Sequence, residues 1–530
     1  MLAGRLLLDD GNGKPRVGFE RVNSENQCPD NAKTSNVIFP ELDSLCRCLK
    51  TPPVHPAGNF PFRERGAASR RRFLQAGALS AVGLGLSDLF RLQALAESGG
   101  APIKDAAVIF VWLPGGPAHL DTYDMKPDAP VEYRGDFRPI RTNVPGIEIC
   151  ELFPRQARIA DKFTLVRSIC HDFADHGGAH KRFMTGRIPA TPTEFVNDAP
   201  AVASIVTKML EPRQKNALPP CIAGVDSGRS QVDVFSLGSA YLGTAYSPFI
   251  VAGDPSQKGF QVQNLELTGE SAARMDDRVH LLLGRDRLRR DIDASGMLEA
   301  MDHFSHRAIG MLTSPAVRQA FDLSQESPSV RDRYGWNAYG QRGLMARRLV
   351  EAGCPFVTMV WENPFPSGQI PTGCTYNWDS HAVNCHIFDD SRWRFPAYDQ
   401  AVSALIEDLY ERGLDRRVLL VVTGEFGRTP RLERNTGTQT KVSQPGRDHW
   451  PHAMSLLVSG GGMRTGQIVG ATDRHGEHPV ERILSPNDLW ATVYRHLGID
   501  FTDSLLDHSG RPMPILPFGE PIAELLPAGA

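Results

Sequence analysis

The chain has 530 residues, a formal charge of −3 and 22% charged residues. That length can bury one large α/β core with insertions, or two domains. So balanced a charge leaves no electrostatic footprint for nucleic acid. After residue 100 there are six cysteines with no C-x-x-C pair, which argues against a thiolate zinc site and a disulfide-stapled mini-domain. A Cys374–Cys385 bridge stays open for an oxidising compartment. Histidine is more informative, because fifteen of the sixteen lie after residue 100, several in Gly/Asp-rich loops.

Residues 1–60 are turn-rich with little periodicity, and residues 1–68 read as a mis-called start or an unstructured extension. They hold no second methionine, so a downstream start would be non-AUG, for example at Val54. Residues 69–75, SRRRFLQ, match a twin-arginine export signature. An Ala/Gly/Leu segment follows from Ala76 to Leu89, then a small-x-small cleavage site at Ala94-Leu95-Ala96. The apolar run is too short and glycine-rich to span a membrane. We therefore expect a twin-arginine signal over 69–96, export through that machinery to the periplasm or beyond, and no transmembrane segment in a mature chain from about residue 97.

The mature part opens with a predicted strand, Ala106 to Leu113, running into Pro114-Gly115-Gly116-Pro117 and then His119, Asp121 and Asp124. Residues of these types beside a Gly-rich turn suit a metal, although a turn-forming Asp accounts for them equally well. A second strand, Phe163 to Ile169, leads to a helix start carrying Asp175, His176, His180, Lys181 and Arg182. Free amides and the helix dipole there favour anions. Residues 225–262, rich in Gly, Ser and aromatics, read as an excursion shaping a pocket or crossing its mouth. An amphipathic stretch follows, with Met297, Met301, Phe304, Ala308 and Met311 on one stripe, which is ordinary core. Residues 225–330 together are a loop-and-helix insertion.

Trp336 to Ala352 is a further predicted helix, capped at Gly353 and feeding a strand, Phe356 to Val360. The loop after it holds Asn377, Trp378, Asp379, Ser380, His381 and His386. A helix over Ala397–Arg412 returns to a β-branched run, Val418 to Val422, closed by Thr423-Gly424 and followed by Glu425 and Arg428. Strand–helix–strand alternation of this kind builds a mostly parallel sheet, whose chemistry sits beyond the strands' carboxyl ends. Asp448, His449 and His452 precede a strand at Ser455 to Val458. A Gly-rich turn, Gly466–Gly470 and a closing helix from Pro486 to Leu497 end the pattern.

Several of these segments resemble one family of exported bacterial proteins of unknown function, related to the sulfatases and the alkaline-phosphatase superfamily. They are GGPAHLDTYDMKP (115–127), DHGGAHKRFMTGR (175–187), NWDSH (377–381), TGEFGRTP (423–430), GRDHWPH (446–452) and SPNDLWATVYRHLGID (485–500). The resemblance implies a large, mostly parallel mixed sheet flanked by helices, with one or two metals at the strand ends. It also implies hydrolysis of sulfate or phosphate esters. Aligned with the sulfatase signature, FMTGRIP (183–189) puts His176 where the formylglycine cysteine would be and His180 at the arginine, so formylglycine chemistry is excluded. TGEFG (423–427) resembles the sulfatase TSDHG, with Glu425 at the aspartate and Phe426 at a metal ligand.

Imidazole and carboxylate donors without thiolate suit Zn²⁺ or Mn²⁺ better than Ca²⁺. The expected ligands are Asp379, His381, Glu425, Asp448 and His449, with His119 and Asp121 as additions. His176 is read as nucleophile, general acid or ligand, and Lys181, Arg182 and Arg428 as holders of an anionic ester, which could belong to a sulfated or phosphorylated polymer. The alternative is a catalytically inactive sulfatase-like scaffold for binding or for the envelope.

Overall fold

The structure, a computed structural model, describes residues 105–262, 265 and 308–527. The expected start, the twin-arginine signal and the stripe residues Met297, Met301 and Phe304 lie outside the described residues.

A central sheet of eight strands carries the fold. In chain order they are β1 (Ala107–Trp112), β2 (Phe163–Ile169), β3 (Cys221–Val225), β4 (Phe249–Ala252), β5 (Phe356–Val360), β6 (Val418–Thr423), β7 (Met454–Gly460) and β8 (Gln467–Val469). In space they run β8-β2-β7-β6-β1-β5-β3-β4. All are parallel except β7, which is antiparallel to both β2 and β6. The fold is thus a mixed α/β arrangement with a mostly parallel sheet. β1 and β6 are buried at every position. Near-continuous apolar runs such as AVIFVW and VLLVVT are what a strand covered on both faces requires.

Alternate side chains of these strands enter two apolar cores. Ile109, Val111, Val357, Leu420 and Val422 pack on one face with the helix α3 (Ala338–Glu351) and the long helix α4 (Ile387–Glu411). Val108, Phe110, Trp112, Leu419 and Val421 pack on the other with α1 (His176–Thr185), α2 (Val202–Leu210) and α5 (Pro486–His496), contributing Phe183, Val206 and Trp490. No helix among the described residues is long and apolar enough to cross a membrane.

Three local expectations change. The helix expected from Ala397 begins ten residues earlier, at Ile387, with Pro396 inside it. A proline normally marks a helix start or break, and here the buried Phe388 and Phe395 anchor the turns before it. β3 and β4 lie at or within the stretch expected to be an excursion, linked by short 3₁₀ turns. Cys374 and Cys385 are unbridged and buried, and burial pushes the Cys374 thiol up to about 12.

Because β7 alone runs backwards, its beginning lies at the same rim as the ends of the parallel strands. Gly115 after β1, Glu362 after β5, Glu425 after β6, His171 after β2 and His449 before β7 therefore meet at one edge. Fully buried arginines fasten that edge. Arg342 donates to the carbonyls of Val360 and Gly253 (both 2.8 Å) and pairs with Asp226, joining the ends of β5, β4 and β3.

Candidate metal-centred active site

Glu425 is 0% exposed. Its Oε1 accepts from the Gly115 amide and from His176 Nδ1, both at 2.8 Å, and lies 3.5 Å from His180 Nε2. Gly115 has φ +105, and a Cβ there would sit 2.5 Å from the Asp379 amide, so only glycine lets the two loops approach. His176 opens α1, where Asp175 accepts from the Gly177 amide (2.9 Å) as the N-cap. His180 follows one turn later, on the same face.

The second half of the site gathers on one oxygen. Asp379 Oδ1 has Arg428 Nη2 at 2.7 Å, His381 Nε2 at 2.8 Å, His449 Nε2 at 3.0 Å and His176 Nε2 at 3.5 Å. His381 Nε2 and His449 Nε2 are 2.9 Å apart. His449 is brought here by a short antiparallel pairing of His449–Trp450 with Gly427–Arg428.

The outer ring nitrogens decide what these atoms can do. His449 Nδ1 donates to the Ala174 carbonyl (2.6 Å), and His381 Nδ1 donates to the Asp448 carboxylate. In the neutral rings both Nε2 atoms then carry lone pairs, and both point at a carboxylate oxygen. Three electron pairs thus converge within 3.0 Å of one another. This is the donor arrangement of a cation site, with each imidazole oriented by an outer acceptor. His176, Asp379 and His449 form one group able to hold an ion, and His176, His180 and Glu425 another.

Charge follows the same division. Burial opposes ionisation of Asp379, but His176 and the Arg428 charge pull its carboxyl far below the usual range. Burial also opposes ionisation of Glu425, yet His180 and His176 keep it at about 2. For His176, burial is outweighed by Asp379 and Glu425, and its pKa rises to about 9. Burial dominates at His180, lowering it to about 4, and it lowers His449 as well. Phe426 packs against the His449 and His176 rings with centroids at 4.3 and 5.4 Å, an apolar floor where the resemblance expected a ligand.

The structure therefore brings His176, His180, Asp379, His381, Glu425, Asp448, His449 and Arg428 together. Arg428 does not present a free guanidinium to an ester. It is buried and already donates to the carbonyls of Gly115, Gly116, Trp378 and Arg447. His119, Asp121, Lys181 and Arg182 are not brought in. His119 Nε2 donates to the Gly476 carbonyl (2.8 Å), and Asp121 is clamped by Arg447 at 2.8 and 3.0 Å. Lys181 reaches across α1 to Thr191 Oγ1 (2.7 Å), and Arg182 to Asn487 (2.7 Å). Glu362 and Arg229 at the same rim escape a sequence reading, although the strand-end rule that singles out Glu425 applies equally to Glu362 after β5.

A family model described as "Protein of unknown function (DUF1501)" matches residues 105–526. The chain belongs to that family. No curated protein matches it. Among solved structures it is similar to the PsFucS1 sulfatase from Pseudoalteromonas sp., at 10% identity over 78% of this chain and 70% of that one, with a TM-score of 0.32. It is also similar to the phosphonate monoester hydrolase SpPMH from Silicibacter pomeroyi (11%, 79% and 76%, TM-score 0.31). A third is the alkaline phosphatase from the Antarctic bacterium TAB5 (9%, 75% and 99%, TM-score 0.31).

Proposed function

Starting from a DUF1501 member whose family description assigns no activity, we propose an exported, metal-dependent hydrolase of anionic sulfate or phosphate esters. The observation that carries this is the convergence of His381 Nε2, His449 Nε2 and Asp379 Oδ1 within 3.0 Å. Zn²⁺ or Mn²⁺ fits this donor set, held by Asp379, His381 and His449. When bound, such an ion supplies Lewis-acid charge at an ester oxygen and lowers the pKa of water. Export of an already folded protein, supported by SRRRFLQ at 69–75, is consistent with a centre loaded beforehand.

The chain's own residues do the rest. Glu425 accepts the Nδ1 proton of His176 and fixes that ring. A carboxylate on Nδ1 favours the imidazolium form, in which His176 carries a second proton on Nε2. That proton passes to the leaving alcohol oxygen as the S–O or P–O bond breaks. Water delivers its oxygen to the sulfuryl or phosphoryl centre, and the proton it sheds restores His176. Phe426 beneath the rings excludes water from their lower face. Removing His176 forfeits general-acid catalysis, about 10²–10⁴-fold.

The test is hydrolysis of aryl phosphates and aryl sulfates by metal-loaded protein. Turnover should be abolished by chelation and restored by Zn²⁺ or Mn²⁺. His176→Ala should lose about 10²-fold or more on phenyl esters and distinctly less on 4-nitrophenyl esters, whose leaving group needs no proton. Equal losses on both would remove His176 as the acid. Stoichiometric metal without turnover would favour a binding scaffold. That second reading draws support from the site's lack of a Ser, Thr or Cys nucleophile among its described contacts.

A further inference from the structure

Beyond the histidine cluster, the rim carries one cation poorly matched by its surroundings. Arg229 ends a 3₁₀ turn, Ser227–Arg229, directly after β3. Its guanidinium lies 5.3 Å from the Phe235 ring centre, and that ring is 6.0 Å from the ring of His180. Arg229 and His180 thus both approach one aromatic side chain. Its side chain is 41% exposed, and its ion-pair partner is the buried Glu362, at 3.1 Å. Arg229 Nε and Glu362 Oε2 have no hydrogen-bond partner among the described residues. The neighbouring Asp226 is already taken by Arg342 and by the Tyr376 hydroxyl. Burial raises the Glu362 carboxyl to about 7 despite the opposing pull of Arg229, so the pair is incompletely charged near neutrality. A guanidinium is suited to sulfate and phosphate oxygens, which it can bind through two parallel N–H donors.

Resting on the hydrolase reading, we infer that Arg229 is a specificity-determining residue that binds a second anionic group of the substrate, one unit away from the reacting ester. Arg229 pairs with Glu362 and is absent from the described contacts of Asp379, so it stands beside the ester position and not in it. A polymer with repeated sulfate or phosphate groups can occupy both places at once, whereas a simple monoester fills only the first. The substrate class is thereby narrowed to polyanions.

Calorimetry on metal-loaded wild type, Arg229→Ala and Arg229→Lys tests this, using dextran sulfate, polyphosphate and inorganic phosphate as probes. Arg229→Ala should weaken binding of a polyanion tenfold or more and that of inorganic phosphate by clearly less. Arg229→Lys should recover part of the difference, with metal content equal to wild type as evidence of folding. The polymer showing the larger ratio identifies the sulfated or the phosphorylated source. Equal losses for polymer and inorganic phosphate, no loss at all, or no polyanion binding by wild type would overturn the assignment. Because binding is read directly, a wild type that binds dextran sulfate but hydrolyses no ester defeats the hydrolase reading and leaves this result legible.

Discussion

Two loops at one rim start from the same chemistry and end differently. The loop after β1 carries His119 and Asp121, and the loop after β5 carries Asp379 and His381. Each pairs a carboxylate with a nearby imidazole, and each carboxylate meets a fully buried arginine. Asp121 is 1% exposed, and both its oxygens are taken by Arg447. Arg447 also donates to the carbonyls of Tyr133 and Thr429. Asp379 is 19% exposed on its side chain, and only one nitrogen of Arg428 reaches it, leaving Oδ1 to be shared with imidazoles. A carboxylate closed by a two-toothed arginine is a brace, while one met by a single nitrogen still has lone pairs to offer a cation.

The comparison breaks most sharply at Asp121. Asp121→Asn leaves Arg447 charged and buried without its partner, which should cost about 3–5 kcal/mol of stability. Urea unfolding should register that loss while metal content stays at the wild-type level. Metal loss in a variant that remains folded would mean that the brace is also a ligand.

Glu362 extends the contrast to a buried carboxylate met by an arginine that remains half in water. Its folded pKa of about 7 exceeds the ordinary 4.5. Between those values the folded state holds more protons than the unfolded one, so stability falls as pH rises through that window. The full cost, on the order of 3 kcal/mol, is present above pH 7. Glu362→Gln should therefore be more stable than wild type at pH 8 and indistinguishable from it near pH 4.5, measured by denaturant unfolding. A pH-independent difference would show that the carboxyl titrates normally.

Asp448 is the mildest case, since it touches the site only through His381 Nδ1. Asp448→Asn should weaken metal affinity 10–100-fold, as expected for a group that orients a ligand. Competition with a chromophoric chelator reads this directly, and unchanged affinity would detach Asp448 from the centre.

Much of the scaffold was legible in the chain. Runs such as Phe163–Ile169 and Val418–Val422 announce buried strands because no solvent-facing alternation interrupts them. Glu425 and Asp379 were reachable through the rule that parallel strands present their chemistry at their carboxyl ends, and His449 through the Asp448-His449-x-x-His452 cluster. Cys221–Val225 stayed hidden because it is short, contains Gly224 and follows Pro219-Pro220. Pro396 hid the first turns of α4, whose place is secured by packing rather than propensity. Asp121 and Asp379 could not be told apart, because the difference lies in arginines 326 and 49 residues away along the chain. Which arginine closes around which carboxylate is settled only when the loops meet.

Metal stoichiometry on three purified proteins tests the centre itself. Wild type and Asp121→Asn should each bind about one divalent ion per chain, and Asp379→Asn should bind none while keeping its fold by circular dichroism. Full metal content in folded Asp379→Asn, or none in wild type, would contradict the account.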